Sequence, residues 1–235
     1  MPKIISDFIN RNFGETWLGR LGNRLFSWVE LLLMRPCKDR AVLKMIKDLR
    51  QEGRPLFKPS EIFHIYSIAR ACAKLFGDFA EVGVYNGTSA KIICEVKGDK
   101  NLYLFDTFFG LPEVNKDDNR FHKNMYAASY EGVRQRLQKY PHVKIYQGIF
   151  PGTADPIKDK KFAFVHLDVD VYTSTKAALA FFYDRMVGGG IILTHDYAQA
   201  EGVRRAFDEF LADKPEGIIE LSLTQAFIIK LCAKY

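Results

Sequence analysis

Two strand ends carry the side chains most able to do chemistry. In Phe164-Val-His-Leu-Asp168-Val-Asp170-Val-Tyr172 an apolar run ends on Asp-x-Asp. A second run, Ile191-Ile-Leu-Thr194, ends on His195-Asp196-Tyr197, placing Asp196 28 residues after Asp168. Carboxylates at the carboxyl edge of a parallel sheet stand where open α/β sheets bind ligands. If the two strands are neighbours, Asp168, His195 and Asp196 share one patch. Such an oxygen-rich patch suits a hard divalent cation such as Mg²⁺, which lowers the pKa of a bound hydroxyl and orients it. A histidine there is also a candidate general base near neutral pH. Tyr172 and Lys176 have the Tyr-x-x-x-Lys spacing of short-chain dehydrogenases, but no glycine-rich dinucleotide loop accompanies them. We therefore set that chemistry aside.

A third stretch reads as the seat of a nucleoside. The apolar run Phe79 to Val84 contains Glu81 and Gly83 and leads through Tyr85-Asn86 to Gly87; the next apolar run ends on Asp106, 23 residues after Gly83. Glycine lets the backbone turn sharply and approach a ligand, and a carboxylate at that distance accepts hydrogen bonds from ribose hydroxyls. The spacing is Gly-x-x-x-Gly, unlike the Gly-x-Gly-x-x-Gly that seats a pyrophosphate on a helix N-terminus. This favours S-adenosylmethionine, which has no phosphates, over NAD. Gly148, after a third strand, is a further turn at the same edge where the adenine could come close. Between Asp106 and Ala128 runs a long polar and aromatic loop containing Asp117, Asp118 and His122. It is placed to fold over a ligand, although each of those three side chains reads singly as a surface group.

Alternating strands and helices must position these groups. From residue 78 the pattern predicts strands at 79–84, 102–106, 143–147, 163–168, 190–195, 217–222 and 226–231, with helices at 87–97, 129–139, 173–186 and 201–212. Gly188-Gly-Gly190 is expected to end the last helix but one before its strand begins. The last two strands are joined by Ser222 to Gln225, a connection too short for anything but antiparallel pairing. The fold class expected is α/β: a Rossmann-like, seven-stranded, mostly parallel sheet with an antiparallel last strand. Residues 1–75 form a helical N-terminal extension, and 76–235 the cofactor-binding domain. In the extension, Phe8 to Met34 has apolar residues at helical intervals, Asp39 to Leu49 reads as a second helix, and Ile62 to Leu75 as a third. We expect this block to serve as a lid and to join copies into a homo-oligomer.

Composition narrows the class of protein. The chain has 235 residues, 48% hydrophobic and 26% charged, a soluble globular balance. Its net charge of +6 is carried by residues 1–60, which hold 12 Lys and Arg against 6 Asp and Glu, whereas residues 61–235 hold 22 of each. A nucleic-acid enzyme would carry its basic patch around the cleft, so no nucleic-acid partner is expected. The basic segment reads first as a solvated helical appendage, and second as a docking surface for an anionic substrate, an acidic partner or a membrane face. Cys37, Cys72, Cys94 and Cys232 are widely spaced and lack disulfide or zinc patterning, which points to a reducing cytoplasm. The apolar stretch Leu25 to Met34, interrupted by Glu30, is too short to span a bilayer, and no signal-peptide pattern follows it.

Taken together, Glu81-Val-Gly-Val-Tyr-Asn-Gly87, Asp106-Thr-Phe-Phe-Gly-Leu-Pro112, Leu167-Asp-Val-Asp-Val-Tyr172 and Gly189-Gly-Ile-Ile-Leu-Thr-His-Asp-Tyr197 resemble the macrocin O-methyltransferase family, over about residues 60–232. The resemblance implies a class I, S-adenosylmethionine-dependent O-methyltransferase, assisted by Mg²⁺ and acting on a hydroxyl of a sugar or natural-product glycoside. It implies that Glu81, Gly83, Tyr85, Asn86, Gly87, Ser89, Asp106, Thr107, Gly148 and Asp168 line the cofactor site. Asp168, His195 and Asp196 would be metal ligands, and Asp168 or His195 would take the proton. The family pattern after the fifth strand is Asp-Asp-Tyr, whereas this chain has His195-Asp196-Tyr197. Histidine is a softer ligand than such a cation prefers. A metal-independent enzyme using His195 as base is therefore one alternative, and a non-catalytic cofactor-binding partner is another.

Overall fold

The computed structural model describes residues 17–52, 57–112 and 121–232. Two compact units divide the chain between Phe63 and His64. In the first, α1 spans Trp17–Met34 and α2 spans Arg40–Gln51, while α3, Pro59–Cys72, runs across the division. The part of the first predicted helix before Trp17, with Phe8 and Phe13, lies outside the described residues. Asp39 caps α2 by accepting from the Ala41 N–H at 2.7 Å. Val42, Leu43, Ile46 and Leu49 recur at helical spacing on its buried face. Glu61 accepts from the Lys58 N–H at 2.8 Å, which caps α3.

The second unit holds the sheet. Its elements are β1 Asp78–Val82, α4 Thr88–Cys94, β2 Leu102–Asp106, α5 Tyr130–Leu137, β3 Val143–Gln147, β4 Phe162–Leu167, α6 Tyr172–Phe182, β5 Met186–Thr194, α7 Glu201–Leu211, β6 Ile219–Glu220 and β7 Ala226–Ile229. Strand order is β3-β2-β1-β4-β5-β7-β6. The first five run parallel, and β7 lies antiparallel to both β5 and β6, the seven-stranded mixed sheet expected. β4 is buried at every position, as are β1 and β2 at all but one end residue. Their near-continuous apolar runs reflect a sheet covered on both faces. Phe105, Phe150, Phe162 and Phe182 belong to the core of this unit, with Phe150 and Phe182 stacked at 5.3 Å.

One expectation is overturned. Gly188 to Gly190 do not precede the fifth strand but lie inside it, for β5 already begins at Met186. Phe162 pairs with Met186, yet Phe164 pairs with Ile191, so the strand bulges through the glycines. Gly189 has φ +80°, and a Cβ on Gly190 would lie 2.9 Å from the Val187 carbonyl oxygen. Of the residues that looked like a helix stop, Gly189 meets the bulge's left-handed φ and Gly190 its lack of room for a side chain.

The order in which strands are added to the sheet reverses between β1 and β4, which are parallel neighbours although α4, β2, α5 and β3 separate them in sequence. Their carboxyl ends therefore flank the crevice where open α/β sheets take ligands.

Candidate functional site

The crevice is built from five strand ends. After β1 the chain turns through Gly83 (φ +86°), Tyr85 (φ 48°) and Gly87 (φ +79°) into α4. Asp106, at the end of β2, holds this turn: Oδ2 accepts from the Val84 and Tyr85 N–H groups at 2.7 and 2.8 Å, and Oδ1 from Phe108 N–H at 2.6 Å. A carboxylate has about four acceptor positions, so one remains for a ligand hydroxyl. Asn86 caps α4 through Oδ1, which accepts from the Thr88 N–H at 3.1 Å and hydroxyl at 2.8 Å. Arg136 donates to the Asn86 carbonyl at 2.8 Å. Thr107 donates to the Gly110 carbonyl at 2.6 Å. Gly148 (φ +140°), after β3, donates to the Asp106 carbonyl at 2.9 Å.

Beneath the turn lies a sealed pair. Glu81 and His166 stand opposite each other on β1 and β4, and both are fully buried. His166 Nδ1 is 2.7 Å from Glu81 Oε1, while Glu81 Oε2 and His166 Nε2 have no partner. Burial raises the Glu81 carboxyl to about 8, moderated by a hydrogen bond from Ser89, and lowers His166 to about 4. Burial thus favours the uncharged form of both members. One proton is then shared between Glu81 Oε1 and His166 Nδ1.

The ends of β4 and β5 bring the titratable cluster together. Leu167 on β4 is in register with Thr194 on β5, so the next residues, Asp168 and His195, emerge side by side. The Asp168 N–H donates to the Val82 carbonyl and the His195 N–H to the Leu167 carbonyl, both at 2.9 Å. His195 Nδ1 is 3.6 Å from Asp168 Oδ1 and 3.2 Å from Asp196 Oδ1. Asp168, His195 and Asp196 each offer one ligand atom, and these atoms all lie within 4.8 Å of one another. Asp170 and Asp196 sit at φ 61° and 59°, left-handed conformations that cost a non-glycine residue energy and recur at functional sites.

Electrostatics divides the roles. Burial pushes Asp168 up to about 6; His195 pulls it back and Asp196 pushes it further. Burial and the charges of Asp196 and Asp168 hold Asp170 well above the usual carboxylate range, hydrogen-bonded to Asp196. Asp196 is also buried, yet His195 and hydrogen bonds with His195, Asp170 and Gln199 outweigh that and keep it below its ordinary value. The patch thus combines a firmly ionised Asp196, an Asp168 poised near neutral pH, and a His195 between them. His195 Nε2 faces the Thr224 hydroxyl at 3.4 Å.

The structure draws together Asp168, His195 and Asp196, and sets Gly83, Tyr85, Asn86, Gly87, Asp106, Thr107 and Gly148 along the adjoining strand ends. Glu81 and Ser89 lie below that surface and are buried. His122 is exposed, and Asp117 and Asp118 lie outside the described residues. Sequence reasoning gave no role to His166, Gln199, Thr224 or Arg136. Only His166 left a signal, since it precedes Asp168 by two residues and so shares its side of the strand.

Known proteins resemble this chain in sequence and in fold. The family model described as "Macrocin-O-methyltransferase (TylF)" matches residues 67–224. The 8-demethyl-8-(2,3-dimethoxy-alpha-L-rhamnosyl)-tetracenomycin-C 4'-O-methyltransferase of Streptomyces olivaceus is 30% identical over 139 residues, 52% of this chain and 53% of that one. The demethyldecarbamoylnovobiocin O-methyltransferase of Streptomyces niveus is 26% identical over 153 residues, 58% of each. The chain thus spans little more than half the length of these curated relatives. Among solved structures, the O-methyltransferase NovP superposes with a TM-score of 0.66 at 22% identity, covering 73% of this chain and 79% of that one. An O-methyltransferase from Bacillus cereus in complex with SAH gives 0.61 at 11%, covering 88% and 100%.

Proposed function

Because the chain belongs to the macrocin O-methyltransferase family, we propose that it is an S-adenosylmethionine-dependent O-methyltransferase acting on a hydroxyl of a sugar or natural-product glycoside. One observation carries this reading. The glycine turn after β1 rests directly on the backbone of Asp168, so the nucleoside-binding turn and the titratable cluster form one crevice. The relatives' names, which specify O-methylation of glycosylated natural products, support the acceptor class, and the SAH-bound neighbour supports the cofactor.

The turn fits a nucleoside without phosphates. It has one free acceptor position on Asp106 and no run of glycine N–H groups aimed at an anion. When bound, S-adenosylmethionine supplies a methyl group already attached to a good leaving group. The chain's own task is to place the acceptor oxygen in line, exclude water and accept one proton. Asp168, near neutral in its pKa, accepts that proton, and His195 between the carboxylates stabilises the charge on either side of the transfer.

Asp168, His195 and Asp196 also fit a divalent cation by their convergence and by the ionised state of Asp196. Mg²⁺ held there would supply Lewis-acid polarisation of the hydroxyl. A second reading has its own support: two carboxylates face His195 Nδ1, which keeps the proton on that nitrogen and leaves Nε2 to act as base without metal.

Calorimetry with S-adenosylmethionine, with Mg²⁺ and then with EDTA, tests the proposal alongside turnover on glycoside acceptors. Failure to bind the cofactor in either condition would sink the central reading. Binding with EDTA-insensitive turnover would remove the metal and leave His195 as the base.

A further inference from the structure

Helix α1 is turned inside out. Its polar stripe is Asn23, Ser27 and Glu30, spaced i, i+4, i+7: Lys58 Nζ donates to Oδ1 of the exposed Asn23 at 2.6 Å, while Ser27 and Glu30 turn inward, the Ser60 hydroxyl donating to Glu30 Oε1 at 2.6 Å. Ser27 is only 3% exposed, and its hydroxyl and Glu30 Oε2 are buried without partners. The apolar residues take the outside. Trp17, Leu21, Leu25, Trp28 and Leu32 form a stripe with exposures of 67, 55, 61, 60 and 43%, widened by Val29 and Leu33 at 40 and 69%. This arc covers about half the helix circumference and is about 24 Å long at 1.5 Å per residue. Leaving so large an apolar surface in water is unfavourable, and contiguous patches of this kind mark interaction sites.

We propose that this face is a docking surface for an anionic lipid bilayer, on which α1 lies flat in the interface. Charge is the first ground. Exposed Arg24 stands on α1 beside the apolar stripe and exposed Arg35 directly follows the helix, with Lys38 and exposed Arg40 next in the chain. Among the described residues the nearest acids are occupied, since Glu30 is turned inward and Asp39 caps α2. Interfacial helices join tryptophan and leucine on one face to basic residues at its border in this way, and each such cation is drawn to a negative membrane surface. The second ground is the shape of the face. It is broader than the narrow seam by which two helices pair, and a second copy would bring the same cations against one another. No described helix is long and apolar enough to cross a membrane, so the contact is with the surface.

Trp17 and Trp28 are the chain's two tryptophans, so tryptophan emission of the full-length protein reports this face alone. Vesicles of phosphatidylcholine with about one-third phosphatidylglycerol should shift that emission to the blue and sediment the protein, with high salt or pure phosphatidylcholine weakening both effects. The double variant Leu21→Glu/Leu25→Glu should bind these vesicles at least about tenfold more weakly while keeping its melting temperature and its S-adenosylmethionine affinity. The variant Arg24→Glu/Arg35→Glu should lose binding as well, with its apolar face intact. No blue shift with anionic vesicles would overturn the proposal. So would binding that is indifferent to the arginine reversals. It would also fall if light scattering showed a lipid-free dimer that the leucine variant dissolves, since the face would then belong to a second copy.

Discussion

Gly83 lies so close to Asp168 that a Cβ placed on it would stand 1.8 Å from the Asp168 carbonyl oxygen. The glycine that the sequence offers as room for a ligand is filled by the neighbouring strand's own backbone. This contact welds the cofactor turn to the reactive cluster.

Replacing Gly83 by alanine should therefore damage both at once. The left-handed φ of +86° costs an L-residue about 1–2 kcal/mol, and the backbone clash adds more, because neither strand end can retreat without breaking the sheet. We expect a loss of at least about 3 kcal/mol, read as a fall in melting temperature, with cofactor affinity and turnover lost together.

The cluster itself is tested by changing its donor set. Asp168→Asn should lower kcat by about 100-fold or more, the usual scale for losing a positioned proton acceptor. His195→Asp separates the two readings of the site. With a metal, the all-oxygen set should bind Mg²⁺ more tightly, and activity should persist and be abolished by EDTA. With His195 as base, the same variant should lose activity at every Mg²⁺ concentration.

Glu81 and His166 predict the course of stability with pH. The folded state keeps Glu81 protonated up to about 8, whereas the unfolded chain releases that proton near 4.3; rising pH through this window therefore destabilises. His166, depressed to about 4, works in the opposite sense between about 4 and 6.5, where the unfolded chain binds the extra proton. The two slopes largely cancel up to about 6.5. From there to about 8 His166 no longer opposes Glu81, whose own share of the slope lowers stability by up to about 2 kcal/mol at 1.4 kcal/mol per pH unit. Chemical denaturation across this range checks the slope, and Glu81→Gln should flatten it.

Legibility in the sequence followed locality. Strand and helix order, the antiparallel end of the sheet and the convergence of Asp168 with His195 and Asp196 all follow from short, continuous apolar runs that end in polar residues. Three features were hidden because they depend on neighbours distant in sequence. The β5 bulge needs the register with β4, and the Glu81–His166 pair needs two strands 85 residues apart to lie side by side. The inverted α1 could not be read from periodicity, which locates an apolar face but not the side on which the protein lies.

Asp106 offers the last prediction. If its carboxylate served only to recognise ribose, Asp106→Asn would weaken cofactor binding and leave the empty protein unchanged. Here, however, both oxygens accept backbone N–H groups, from Val84 and Tyr85 on one side and from Phe108 on the other. An amide can satisfy one side alone, and its NH₂ would face an N–H donor on the other. The empty protein should therefore lose about 1.5–3 kcal/mol, the scale of a hydrogen bond to a charged group, and the turn should open. Hydrogen exchange at Val84, Tyr85 and Phe108 without cofactor would detect this. Unchanged protection at all three amides would show that Asp106 does not hold the turn.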